Sequence, residues 1–431
     1  MTPSAVFKIT PGIQSYAWGK KGSSSLAAQL AEKSISGFTV QDDEAYAELW
    51  MGTHPTLPSK VDGQSLIDVL KANPALIGSN VAHTFTDAKE GSLPFLFKVL
   101  SIGTALSIQA HPSKKLAERL HRERGDVYKD PNHKPEMAIA LTPFTAFLNF
   151  LPLPTLLLNL LSVPELEALI PAQLTSELAR SLQLPEDRPP RPAHYASKSN
   201  DEPTEEQKAI LKKIFAALMS AKEEEFSKVI RSLLDRYGRG EVHECERDLV
   251  ELVKTLNEQY PGDIGVLCVF ILNVVELHPG EAAFLGADMP HAYISGDIIE
   301  CMAQSDNVVR AGLTPKLRDV ETLVEMLTYE SGPGSKQLLK PETISDHTML
   351  YDPPIDEFSV YKIELQQGKE ENRPIDGPSL SVVTAGRGSV RCGDHAVEVE
   401  KGDVLFIGAG EVATWETEQG LQVFRAYVEA K

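Results

Sequence analysis

Basic residues are in short supply. Lys and Arg number 42 against 61 Asp and Glu in 431 residues, a formal net charge of −19. A field of that sign excludes nucleic acid and anionic membranes as general partners, and a phosphorylated substrate would need a local cationic cluster working against it. Cysteine is scarce too: Cys245, Cys268, Cys301 and Cys392 are scattered, with no CxxC pair. Free thiols in a reducing compartment are expected, not a disulfide framework. No apolar run approaches the roughly 20 residues that span a bilayer. The first residues, Met1-Thr-Pro-Ser-Ala-Val-Phe-Lys8, lack the charged-then-apolar layout of a secretory leader. A cytoplasmic location is therefore expected. What the chain does have is apolar content, 42% of residues, enough for the cores of two or three domains.

Residues 1–150 carry short apolar runs broken by turns and prolines, a mainly β texture with small helices such as 64–73. The run at 93–106 predicts buried strands. The texture changes at Pro152. Residues 153–182 are Leu-rich with helical spacing in pieces, and 183–207 hold Pro185, Pro189, Pro190, Pro192 and Pro203, the composition of a loop with freedom to move. Three amphipathic helices are predicted next. Ile210, Ile214 and Leu218 mark the first, Phe226, Ile230 and Leu233 the second up to Gly238, and Leu249, Val253 and Leu256 the third. A Val/Ile/Leu run at 265–277 predicts a return to strands, followed by a helix at 319–329 and a linker at 331–335. From about 355 onward, short strands alternate with glycine turns in the rhythm of a jelly roll. The expected architecture is mainly β with an α insertion. A discontinuous β domain (1–152 and 262–330) flanks a helical domain (153–261), and a C-terminal jelly roll follows at 336–431.

The stretch Ser107-Ile108-Gln109-Ala110-His111-Pro112 follows the apolar run. Alternate residues of a strand share a face, so Gln109 and His111 point the same way, and Pro112 ends the strand near a rim. Glu136 comes later, in Tyr128-Lys-Asp-Pro-Asn-His-Lys-Pro-Glu136, where two prolines stiffen the backbone. His291 can close a Gln/His/Glu/His set, a mixed nitrogen and oxygen site that suits zinc, with room for water or substrate. If the segment is extended, Lys134 shares a face with Glu136, where an ammonium can steady an oxyanion or move a proton. Asp306, Asn307, Arg310, Thr314 and Lys316 crowd one segment, and Arg310 and Lys316 are good anion receptors. Lys98 lies mid-strand among apolar residues, so its charge must be paired or face a cavity. Plainer readings compete: an ordinary sheet pair at Gln109 and His111, a surface loop at 128–136, a structural His291, and salt bridges from Arg310 and Lys316 to the protein's own carboxylates. The remaining histidines, His54 among them, are read as structural or surface.

Two segments align without gaps: Gly280-Glu-Ala-Ala-Phe-Leu-Gly-Ala287 and Gly402-Asp-Val-Leu-Phe-Ile-Gly-Ala409. Extending the register sets His291 against Ala413 and Tyr293 against Trp415. A Gly-acid turn followed by a His-bearing strand resembles the cupin superfamily, with two cupin-like jelly-roll barrels of which the C-terminal one lacks the metal ligand.

Gln14-Ser-Tyr-Ala-Trp-Gly19, Ser107–Pro112, Tyr128–Glu136 and the segment Pro290–Lys316 closely resemble the type I phosphomannose isomerase family, and the similarity runs nearly end to end. The resemblance implies a zinc-dependent aldose–ketose isomerase that interconverts D-mannose 6-phosphate and D-fructose 6-phosphate through a cis-enediol, supplying mannose precursors for GDP-mannose synthesis. It implies one zinc ion held by Gln109, His111, Glu136 and His291, and a catalytic Arg310. It places Trp18, Glu48, Lys98, Ser107, Lys134, Tyr293, Glu300, Asp306 and Lys316 around the substrate. The base stays open among Glu300, Lys134, Asp306 and a zinc-bound water. A monomer is expected. Two other classes compete: a metal-dependent oxygenase, against which the glutamine ligand argues, and a non-catalytic sugar-phosphate-binding protein, which leaves Arg310 and Lys134 without a task.

Overall fold

The strand His291–Ala303 is the spine of the first barrel in the computed structural model, which describes residues 5–186 and 201–430. Its second half pairs antiparallel with Phe95–Ile102 on one side and Glu136–Ala140 on the other. Its first half pairs with Phe144–Phe150 and, at His291, with Ile108–Ala110. The change of partners falls at Gly296, where φ is +123° and an added Cβ would lie 2.7 Å from the Pro143 carbonyl oxygen. Only glycine takes that bend without strain. Glu48–Met51 and Gly12–Gln14 extend one edge, Ala282–Leu285 and Leu338–Leu339 the other.

Strand alternation sorts the side chains of this barrel. Leu100, Ala138, Tyr293 and Ile298 belong to its interior. Leu49, Phe97, Val99, Met137 and Ile299 point outward, yet none meets water. They form one core with Leu380, Val382, Phe406, Phe424 and Ala426 of a second barrel and with the helix Leu26–Ser34.

The second barrel is built mainly from Ser359–Leu365, Ser379–Cys392, Val404–Ile407, Ala413–Thr417 and Leu421–Tyr427. The repeat seen in the sequence has a structural counterpart. Ala282–Leu285 leads to the strand beginning at His291, and Val404–Ile407 leads with equal spacing to the strand beginning at Ala413. Gly280 and Gly402, at the matching turns, have φ of +90° and +99°. Ala413 and Trp415 are fully buried inside the second barrel.

The helical block contains Leu153–Ser162, Ala172–Ser181, Glu205–Met219, Glu223–Gly238 and Val250–Gln259, packed through one apolar core. Buried Arg236 pins it, reaching Glu165 at 2.8 Å and Glu246 at 2.6 Å. No helix among the described residues is long and apolar enough to cross a membrane, and all four cysteines are free.

Several expectations change. The run 265–277 is not all strand: Ile264–Phe270 is 3-10 helix and the strand is Leu272–Leu277. Every residue of Ile264–Phe270 is buried, and in a uniformly apolar run periodicity cannot separate buried helix from buried strand. The 331–335 segment is no linker. Ser331 bridges Phe150, and the Asn273 amide donates to the Gly332 carbonyl at 3.0 Å. The expected loop 183–207 falls largely outside the described residues. Its last part is helix from Glu205, with the Thr204 hydroxyl accepting from the Gln207 N–H at 3.2 Å. Pairing also crosses the expected domain limits. Val6–Lys8 joins Val404–Ile407 of the second barrel, and Leu338–Leu339 joins the first.

Candidate active site

Three strands place four of the expected residues in one patch. Across the sheet, Arg310 is opposite Gln109, and Gln109 is opposite His291. Side chains at opposed positions share a face. His111 follows Gln109 by two residues, on the same side. Glu136 enters from the start of the strand Glu136–Ala140, its carboxylate 3.3 Å from His111 Nε2 and 3.4 Å from His291 Nε2. One ligand atom from each of His111, Glu136 and His291 lies within 4.8 Å of the others.

The two imidazoles are set up to present lone pairs. His111 Nδ1 donates to the Asn307 carbonyl at 2.6 Å, and His291 Nδ1 to the Met289 carbonyl at 3.2 Å. That fixes the tautomer and leaves each Nε2 bare. Both Nε2 atoms and Glu136 Oε2 are buried with no hydrogen-bond partner. Buried polar atoms are rarely left unpaired, and two bare imidazole nitrogens converging on a carboxylate make a divalent-metal cradle. The residues fit zinc. Burial pushes the His111 imidazole down to about 4, so it is neutral near pH 7. Burial would raise the Glu136 carboxyl, but the Lys134 ammonium at 3.1 Å leads the influences that overcome this and hold it well below the usual carboxylate range. Gln109 is the fourth residue of the expected set. Its backbone is in register with His291, and its Oε1 accepts from the Ser107 hydroxyl at 3.3 Å.

Further along the barrel interior lies a buried ion cluster. Lys98 Nζ is 3.2 Å from Glu48 and 3.0 Å from Glu300, and 5.0 Å from the centre of the Trp50 ring. Burial disfavours the Lys98 ammonium, but Glu300 and Glu48 outweigh it and raise its pKa. Burial raises the Glu300 carboxyl, with Lys98 opposing and Glu136 and Glu48 adding to the rise. Among the described residues the buried Tyr293 hydroxyl has no partner at ordinary hydrogen-bond distance. Burial, reinforced by Glu300, lifts its pKa well above the ordinary value.

Beside the patch opens a cleft of about 930 Å³, lined by His54, Lys129, Asn132, Asp306, Arg310 and Glu357 among others. Arg310 belongs to both cleft and patch. Burial lowers its pKa, and among the described residues no carboxylate forms an ion pair with it. Asp306 is at the mouth, its side chain 79% exposed and 3.7 Å from His54. The neighbouring His54 lowers its pKa.

Not every expected residue joins this constellation. Lys316 is exposed and pairs with no carboxylate among the described residues. Trp18 packs against the barrel interior and stacks on Tyr16, ring centres 6.0 Å apart. Two contributors escaped the sequence reading, and a third, Asn307, was named there without a role. His54, read as structural, lines the cleft. Asn307 braces the site, its carbonyl holding His111 while its amide donates to the Asp130 and Asn132 carbonyls at 2.6 and 2.7 Å. Glu357, which precedes the strand Ser359–Leu365, pairs with His133 across the cleft. The crowded polar run around Asp306 was a signal for Asn307. No local signal marked Glu357.

Known proteins resemble the chain along nearly its whole length. The family model described as Phosphomannose isomerase type I, catalytic domain, matches residues 6–153, that of the helical insertion domain residues 189–272, and that of the C-terminal region residues 348–395. Mannose-6-phosphate isomerase of Cryptococcus neoformans var. neoformans is 62% identical over 437 residues, covering 100% of both chains. The enzyme of Saccharomyces cerevisiae is 40% identical, covering 98% of this chain and 99% of its own. The crystal structure of mannose 6-phosphate isomerase from Salmonella typhimurium bound to its substrate, fructose 6-phosphate, and to zinc superposes with a TM-score of 0.78 at 31% identity, covering 99% of this chain and 100% of that one. The chain belongs to the type I phosphomannose isomerase family.

Proposed function

We propose that this chain is a zinc-dependent isomerase interconverting D-mannose 6-phosphate and D-fructose 6-phosphate. One observation carries the reading: three buried, unpartnered ligand atoms converge within 4.8 Å, in a patch whose neighbouring strand supplies an unpaired guanidinium. His111, Glu136, His291 and Gln109 would hold the metal. Bound there, zinc would supply Lewis-acid polarisation of the sugar's C1 and C2 oxygens.

The aldose and ketose differ by one proton moved between C2 and C1 and one moved between O2 and O1, with the cis-enediol between them. Glu300 is the residue best suited to carry the carbon-bound proton, because burial raises its carboxyl toward the working pH while Lys98 keeps it placed. Asp306 is a poorer base, since it is exposed and its pKa is depressed. Arg310 and Lys134 would stabilise the negative oxygen of the enediol. Tyr293, Glu48 and Ser107 would orient the sugar, with Trp18 at its edge. The phosphate, remote from the reacting carbons, would take the cationic side of the cleft and position the substrate. Lys316 would reach it only from the surface. In this reading the chain works as a monomer, and its product feeds mannose precursors toward GDP-mannose.

The test is turnover of mannose 6-phosphate before and after chelation, with zinc added back. Activity lost and then restored is expected. Activity surviving complete metal removal would demote the four ligands to structure. Sugar-phosphate binding without turnover by folded, zinc-loaded protein would mark a binding protein instead.

A further inference from the structure

The second barrel has no counterpart of His291, yet its interior is not simply apolar. Phe424 and Ala426 face the core shared between the barrels, so Arg425 points the other way, inward with Val423 and Tyr427. Arg425 is fully buried. Its cross-strand neighbours are Ser381 on one side and Tyr361 on the other. Its Nε donates to the Ser379 hydroxyl at 2.9 Å. Among the described residues neither Nη atom has a hydrogen-bond partner, nor does the buried Ser381 hydroxyl.

Charge sharpens the problem. Burial pushes the Arg425 guanidinium down only to about 10, so it stays a cation near pH 7. Among the described residues no carboxylate lies within ion-pair distance of it. The Cys392 thiol acts on it, but burial lifts that thiol to about 11, leaving it neutral. Deep burial of an uncompensated charge costs several kcal/mol. Neutral water can satisfy N–H groups but supplies no countercharge. An anion supplies both, and guanidinium and hydroxyl donors are the groups that bind anions. Ile363, Val390 and Trp415 are fully buried members of the same core, a setting that suits an anion of monatomic size.

We propose that the interior of the second barrel is a halide site, the anion held by both Nη atoms of Arg425 and the Ser381 hydroxyl. The second barrel would then hold an anion as a structural element of the C-terminal half.

Crystals of the zinc-loaded full chain in sodium bromide, measured at the bromine absorption edge, should show an anomalous peak within hydrogen-bond reach of the Arg425 Nη atoms. Only ordered water there overturns the proposal. In solution, chloride is exchanged against gluconate at fixed ionic strength. Tm of the zinc-loaded chain should rise on the order of 1–2 °C per tenfold increase in chloride, and Arg425→Met should abolish the dependence. Equal slopes in both proteins overturn the proposal. So does a bromide peak with no chloride dependence of Tm, which would mean an adventitious ion only. If Arg425→Met does not fold, the bromide peak and the wild-type slope decide together.

Discussion

Lys98→Met removes a cation that sits between two buried carboxylates. Its Nζ lies 3.2 Å from Glu48 and 3.0 Å from Glu300, and the three side chains are 8%, 10% and 4% exposed. Deleting one partner of a buried pair costs about 3–5 kcal/mol. Here two carboxylates lose the same partner, so the upper end applies unless a proton is taken up. Glu300 is the group to take it, because burial already raises its carboxyl and Lys98 is the main influence opposing that rise. With Glu300 protonated in the native variant and ionised in the unfolded chain, the native state binds one proton more. Stability then falls with rising pH by about 1.4 kcal/mol per unit. The window opens above the ordinary carboxylate value of about 4.3 and closes at the raised native value. Chemical unfolding of zinc-loaded protein at about pH 6 and about pH 8 reads this slope. The variant should be at least about 3 kcal/mol less stable than wild type at the higher pH and recover part of that loss at the lower. Stability within about 1 kcal/mol of wild type at both, with parallel slopes, would refute the reasoning: Lys98 would then contribute no net pairing.

Arg310→Met should lower kcat about 10²–10³-fold at unchanged zinc content, and Arg310→Lys should restore only part, since an ammonium cannot reproduce the fork of donors; steady-state kinetics with metal analysis would show it, and an unaltered kcat would remove Arg310 from the chemistry. Asn307→Ala frees the segment whose carbonyl orients His111, so zinc affinity should fall about 10–100-fold in a chelator competition. Glu357 is held below its usual range despite burial, chiefly by its hydrogen bond with His133. Its stabilisation is therefore present above the unfolded value of about 4.3 and lost as pH falls through the lower native value. Glu357→Gln should lower Tm at neutral pH and flatten the acid limb of a Tm–pH profile; an acid limb identical to wild type would assign the loss to other groups.

The parts of the site legible in the sequence were those with a local pattern. Gln109 and His111 share a strand face by period alone, and Lys134 and Glu136 meet because prolines hold their segment extended. The need for a partner at Lys98 followed from its apolar flanks, though that partner proved to be a pair of carboxylates from two other strands. Glu357 stayed hidden because it approaches His133 only through the packing of the second barrel on the first. The fold failed to show where a pattern had no period. Ile264–Phe270 is buried all round, and its 3-10 form depends on the Asp263 carboxylate accepting from the N–H groups of Gly265 and Leu313 at 2.6 and 2.7 Å. The second half of that arrangement lies far along the chain, out of reach of any window.

The second barrel matters to the chemistry through this same alternation. The strands that aim Glu48, Lys98, Glu136 and Glu300 inward carry Leu49, Phe97, Met137 and Ile299 on their outer faces, and these residues lie in the core shared with Phe406 and Phe424. A close-packed interior transmits displacement because it has few voids to absorb it. A polar cluster whose members sit 3.0–3.3 Å apart tolerates little of it, since electrostatic catalysis requires donors and charges already in place before the transition state forms. A single sheet with a solvated outer face would leave those strands free to flex. Clamping the outer face gives the second barrel, which has Ala413 where the repeat aligns His291, a task that needs no metal ligand of its own.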